Sequence, residues 1–234
     1  MIPSIPVVTP QDILLKLCHS VSHILSTATS TDVTHAGMVQ SITRTCLKPD
    51  LGCFSIFDGG FSGLVVINFS APSAIEIYRA YMMQMGMPES ELAFSHTSDE
   101  VANVMGELMN QILGDFINKV SQELQSSISQ SQPKMLTINK EITLSVDTNL
   151  TEAISRRVAF KTGNNHSFYL EFAMDKTEFI SLNHEIDHKE QDPDRLLETH
   201  GKQIMDRTVK LATTENGRHS QADEADELLH SLGL

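Results

Sequence analysis

From about residue 98 to 124 the chain carries Val101, Met105, Leu108, Ile112 and Phe116 at spacings of three and four, which describes one long helix with a single apolar face. Such a face has to be buried against a second layer. Material for that layer lies on both sides of the helix. Residues 38–45, 52–57 and 61–69 precede it and residues 135–146, 157–161 and 167–174 follow it, all of them short runs rich in apolar and β-branched side chains. Asp58-Gly59-Gly60 and Thr162-Gly163-Asn164-Asn165 supply tight hairpin turns between neighbouring runs.

Two further helices are expected. The first carries Ile13, Leu14, Leu17, Cys18, Val21, Ile24 and Leu25 behind an N-cap at Thr9 and a proline at Pro10. The second runs over residues 72–85 and is ended by Gly86 and Pro88. The long helix opens on Thr97-Ser98-Asp99-Glu100, where Thr97 and Glu100 have capping-box spacing. The order helix, strands, two helices, strands gives an α+β class, an antiparallel β-sheet with helices packed on it. Beyond about residue 182 the composition changes: residues 184–234 hold 12 acids and 6 bases and few β-branched residues. The chain therefore divides into an α+β domain over 1–182, an acidic helical and linker segment over 183–220, and an amphipathic peptide over 221–234.

Charge and cysteine usage remove several function classes. Thirty acids against 17 bases give a net charge of −13, with no basic stripe, so neither nucleic acid nor a membrane surface is an expected partner. The longest apolar run, residues 63–69, is far too short to cross a bilayer. The start of the chain has no secretory pattern, and Cys18, Cys46 and Cys53 form neither a disulfide framework nor a zinc motif, so the expected setting is reduced and cytoplasmic. His184-Glu185-Ile186-Asp187-His188 matches H-E-x-x-H in letters, but Lys189-Glu190-Gln191-Asp192-Pro193 follows it and Asp187 places a charge inside it, so it reads as a solvated helical turn and no metal site is assigned. Met82, Met83, Met85 and Met87 form a soft apolar cluster suited to core, a dimer contact or a binding surface.

On a helical wheel Asn103, Glu107, Asn110 and Gly114 fall together opposite the apolar face of the long helix. Glu107 and Asn110 are neighbours on a rigid element, and Gly114 clears space beside them. Pro133 follows Asn110 after 22 intervening residues. This E-x-x-N-x22-P pattern, with the stretch EVANVMGELMNQILG over residues 100–114, resembles the signature of the CheC/CheX/FliY phosphatase family, and the order of elements over about residues 10–180 resembles the CheX-like fold. One position departs: the family pattern usually has Asp or Ser four residues before the Glu, where this chain has Asn103.

The resemblance implies a phosphatase that hydrolyses the aspartyl-phosphate of a CheY-like response regulator in chemotaxis or another two-component circuit. It implies that Asn110 positions the water, that Glu107 pairs with the regulator's lysine, that Asn103 and Gly114 face the partner, and that Pro133 shapes the next strand. No cofactor of its own is implied, because the regulator holds the Mg²⁺; CheX-like members can associate as homodimers. Residues 225–234, ADELLHSLGL, resemble the C-terminal CheY-binding peptide of CheZ, and the acidic-Leu-Leu stretch also resembles that of FliM, which makes Leu228, Leu229 and Leu232 the implied partner-binding residues. The alternative, kept open by Asn103, is a non-catalytic regulator-binding or flagellar adaptor on the same fold.

Overall fold

The computed structural model describes residues 7–146, 149–150 and 152–180. The elements, in chain order, are β1 (Val7–Val8), α1 (Pro10–Thr29), β2 (Thr34–Ser41), β3 (Thr45–Leu47), β4 (Leu51–Gly59), β5 (Gly63–Phe69), α2 (Ala71–Gln84), α3 (Asp99–Leu124), β6 (Ile128–Gln130), β7 (Lys134–Thr137), β8 (Leu144–Val146), β9 (Ile154–Lys161), β10 (Ser167–Met174) and β11 (Phe179–Ile180), with a short 3-10 turn at Glu89–Glu91. The class is α+β, as expected: a main antiparallel sheet runs β2-β9-β10-β5-β4, and β6 and β7 share the outer edge of β4. Two small pairs, β1 with β11 and β3 with β8, complete the strands.

Period-two alternation puts Phe168, Leu170, Phe172 and Met174 of β10 on one face of the sheet with Val65, Ile67 and Phe69 of β5. There they form one core with Leu17, Val21 and Leu25 of α1, Ala74, Ile77 and Tyr78 of α2, and Met105, Ile112 and Phe116 of α3. Phe57 is central to it, stacked on Phe172 at 5.9 Å and meeting Phe116 edge-on. The residues of β5 are all buried because its other face is covered too, with Leu64 and Val66 packed beside Leu47, Ile138 and Ala173. A strand covered on both faces reads as a near-continuous apolar run, and residues 63–69 read that way with Asn68 as the one polar side chain. The second face also holds Glu171, fully buried, which receives Arg157 at 2.7 Å, Lys48 at 3.4 Å and the Cys46 backbone N–H at 2.7 Å. Asn68 ties down the β3 end of the flap that β3 and β8 form over this face, accepting from Lys48 N–H at 2.7 Å and donating to the Cys46 carbonyl at 2.9 Å.

Several local expectations shift. Thr9 caps α1 as read, and Asp12 completes a capping box. The cap of α3 is Ser98, whose hydroxyl accepts from Val101 N–H, not Thr97, and Glu100 receives the Tyr78 hydroxyl instead of closing a box. The run read over 135–146 divides at a turn in which Ile142 N–H donates to the Asn139 carbonyl, so β7 joins the main sheet while β8 pairs with β3. The Asp58-Gly59-Gly60 turn falls slightly later, since Asp58 and Gly59 still belong to β4. Cys18 and Cys53 are buried, and burial pushes both thiols up, Cys18 to about 12, so neither offers a thiolate.

Candidate functional site

The α3 helix is held on three sides. Its buried face, Val101, Met105, Leu108, Met109, Ile112, Leu113, Phe116 and Val120, packs into the core. Along one flank α1 runs antiparallel to it, with Lys16 paired to Glu123 at 2.7 Å and Lys119 reaching Ser20 at 3.5 Å. Along the other flank Gly106 lies over β7, where an added Cβ would stand 3.5 Å from Met135 Cγ. What remains is one outward face, and Asn103, Glu107 and Gly114 are exposed on it with Asn110 half-buried between them. All four residues of the stripe read from the wheel are therefore brought together, with open space around the position a Gly114 side chain would fill.

Within that stripe the two polar groups are held differently. Gln111 donates from Nε2 to Glu107 Oε1 at 3.3 Å, the contact that i and i+4 positions on a helix allow. The Asn110 carboxamide has no hydrogen-bond partner among the described residues, so its oxygen and its amino group are both available. One turn further on, Asp115 accepts from Lys119 at 2.5 Å. Burial pushes the Asp115 carboxyl up, but hydrogen bonds from Lys119 and Ser20 and the charges of Lys119 and His23 outweigh it and leave the group below its ordinary value. The site thus presents one carboxylate and one carboxamide on a rigid surface, an arrangement able to fix an incoming ammonium and a water molecule. Among the described residues no group of three or more His, Cys, Asp or Glu side chains could hold a metal ion.

Pro133 is buried at the gap between β6 and β7. There Ser131 takes over from the strand ladder, donating its N–H to the Ile56 carbonyl at 2.8 Å and accepting Ile56 N–H on its hydroxyl at 3.0 Å. A residue without an N–H fits at this interruption, which then feeds β7 in beneath α3. Gln111 was not among the residues read from the sequence, although its spacing of four from Glu107 is the signal that would have found it. Leu228, Leu229 and Leu232, and the H-E-x-x-H stretch at 184–188, lie outside the described residues.

The arrangement of a long outward-facing helix on an antiparallel sheet is that of the CheX and CheC-like chemotaxis proteins. The chain superposes on chemotaxis protein CheX from Desulfovibrio desulfuricans with a TM-score of 0.58 at 19% identity, covering 70% of this chain and 99% of that one. For CheX from Vibrio vulnificus the values are 0.56 and 14%, over 70% and 99%. For the CheX–CheY–BeF3–Mg²⁺ complex from Borrelia burgdorferi they are 0.53 and 13%, over 70% and 98%. The chain belongs to the protein family of unknown function DUF3334, whose profile matches residues 4–234. No curated protein matches it. Among the described residues no helix is long and apolar enough to cross a membrane.

Proposed function

We propose that this protein is a phosphatase acting on the aspartyl-phosphate of a CheY-like response regulator. The observation that carries the reading is the outward pair on α3, Glu107 paired with Gln111 and Asn110 without a partner among the described residues, on a fold shared with CheX proteins, one of which is known in complex with CheY, BeF3 and Mg²⁺.

Hydrolysis of an acyl phosphate needs a water in line with the phosphorus and neutralised phosphoryl oxygens. The regulator supplies its own Mg²⁺ and lysine around the phosphoryl group. Asn110 supplies what is missing: its carboxamide oxygen accepts a hydrogen bond from the water and orients a lone pair toward phosphorus. As the new P–O bond forms the acyl oxygen–phosphorus bond breaks, the regulator's aspartate leaves as a carboxylate, and both protons of the water depart with the released inorganic phosphate. Glu107 receives the regulator's lysine ammonium, a charge-assisted contact that sets the register of docking. Residues 221–234 act as a tether that raises the local concentration of the regulator, so their removal is expected to raise KM more than it lowers kcat.

The direct test is phosphate release from a panel of the host's phosphorylated receiver domains, with the full chain at catalytic ratios. Acceleration of at least one receiver beyond its own decay is expected. Asn103, where the CheC/CheX/FliY pattern usually has Asp or Ser, favours a second reading, an adaptor that binds the regulator or a flagellar component without turnover. A receiver bound but not accelerated selects that reading.

A further inference from the structure

We propose that the notch where α1, α2 and α3 meet is the apolar seat of the receiver domain, filled by one or two apolar side chains from the rim of its phosphoryl pocket. This inference rests on the reading of Glu107 and Asn110 above and adds the surface that selects the partner. The notch has a volume of about 330 Å³, near the low end for ligand sites, and its walls include Ile24 and Ala28 of α1, Tyr81 and Met85 at the end of α2, and Gln111 of α3.

Continuity with the candidate site comes through Gln111, which lines the notch and donates to Glu107. A partner that brings an ammonium to Glu107 on the outward face of α3 has to lie over one of its flanks, and on this flank it meets the notch first. The walls also lack charge. With Thr27 and Gln84 the lining is entirely neutral, on a chain of net charge −13. The rim of a receiver's phosphoryl pocket is acidic because carboxylates hold the Mg²⁺, so a carboxylate on the facing wall would oppose its approach, and an uncharged window lets it close.

The groups in the notch are also unspent. The Tyr81 and Thr27 hydroxyls and the Gln84 carboxamide have no hydrogen-bond partner among the described residues. Met85 is 69% exposed, a flexible thioether that can follow the contour of what docks. A second groove, lined by Lys16, His19, Lys119, Gln122 and Glu123, offers none of this. It lies about 16 Å further along α3, from Gln111 to Gln122 at the helical rise, and Lys16 and Glu123 already pair with one another.

The experiment compares Ala28→Glu, Met85→Glu, Met83→Glu and Asn110→Ala in the full chain. The readouts are KM and kcat on the receiver that wild type dephosphorylates, and Kd for that receiver activated with beryllofluoride and Mg²⁺. Met83 is exposed on α2 outside the notch, so its variant adds the same charge elsewhere. Ala28→Glu and Met85→Glu are expected to raise KM and Kd about tenfold with kcat within twofold, Met83→Glu to leave both near wild type, and Asn110→Ala to lose kcat with Kd retained. Because Met85 is exposed at the helix end, its variant keeps the test valid should Ala28→Glu misfold. Unchanged KM and Kd in the notch variants, or an equal rise in Met83→Glu, overturns the notch while leaving the phosphatase reading in place. A wild-type chain that neither binds nor accelerates any receiver overturns both.

Discussion

Gln111 stands one turn beyond Glu107 on α3 and holds one of its carboxylate oxygens at 3.3 Å, while the other has no partner among the described residues. That second oxygen is the one available to an incoming ammonium. Replacing Glu107 by Gln keeps shape and helix but removes the charge. It is expected to raise KM for the phosphorylated receiver about tenfold, or about 1.4 kcal/mol, with a smaller effect on kcat. Steady-state kinetics at several salt concentrations check this, because the wild-type advantage should shrink as salt rises.

Gly114 separates a folding role from a docking role. Nothing lies within 4 Å of where its Cβ would stand, so Gly114→Ala adds a helix former without a clash and is expected to stabilise the fold by about 0.5–1 kcal/mol in urea titrations. Gly114→Leu is expected to retain that stability and lower kcat/KM, because the larger side chain intrudes on the open space beside Asn110.

Glu171 is fully buried beneath Arg157 and Lys48. Arg157→Met leaves its carboxylate with weaker compensation and is expected to cost about 3 kcal/mol by denaturant unfolding. Adding Glu171→Leu to that variant should restore most of the loss, since the uncompensated charge is then gone. Failure of the second change to recover stability would contradict this account of the second face.

The α1 cap carries a pH signature. The Asp12 carboxyl lies below its ordinary 3.8 because the Thr9 hydroxyl, and then the Thr9 backbone N–H, bond it, with the Lys16 charge adding to them. A folded value below the unfolded one means stability that is fully present above 3.8 and fades as pH falls through the lower folded value. Thr9→Ala is therefore expected to cost about 1 kcal/mol equally at pH 7 and pH 5, and less below pH 3.8.

Periodicity made α1, α3 and the central strands legible, because each buries one face or both against a single core. Helical spacing alone groups Asn103, Glu107, Asn110 and Gly114 on one side of α3. The edges were harder. β1 and β11 are two residues each, too short for any period to show, and β8 leaves the main sheet for β3 in a way no local pattern encodes. Glu171 sits at an alternating position of β10 that reads as solvent-facing, and it is buried through contacts distant in sequence, with Cys46 of β3, Lys48 and Arg157 of β9. Thr97 and Ser98 are both capping residue types, and it is Ser98 that accepts the Val101 N–H at the start of α3. The notch beside Gln111 joins three helices distant in sequence, and no single stretch of residues announces it.

The most direct test of the central claim is single-turnover decay of a phosphorylated CheY-like receiver with wild-type protein and Asn110→Ala side by side at saturating concentration. The account predicts acceleration by wild type and its loss in Asn110→Ala, by two orders of magnitude or about 2.7 kcal/mol, with the thermal unfolding and receiver binding of the variant unchanged. Equal acceleration by both proteins would contradict it.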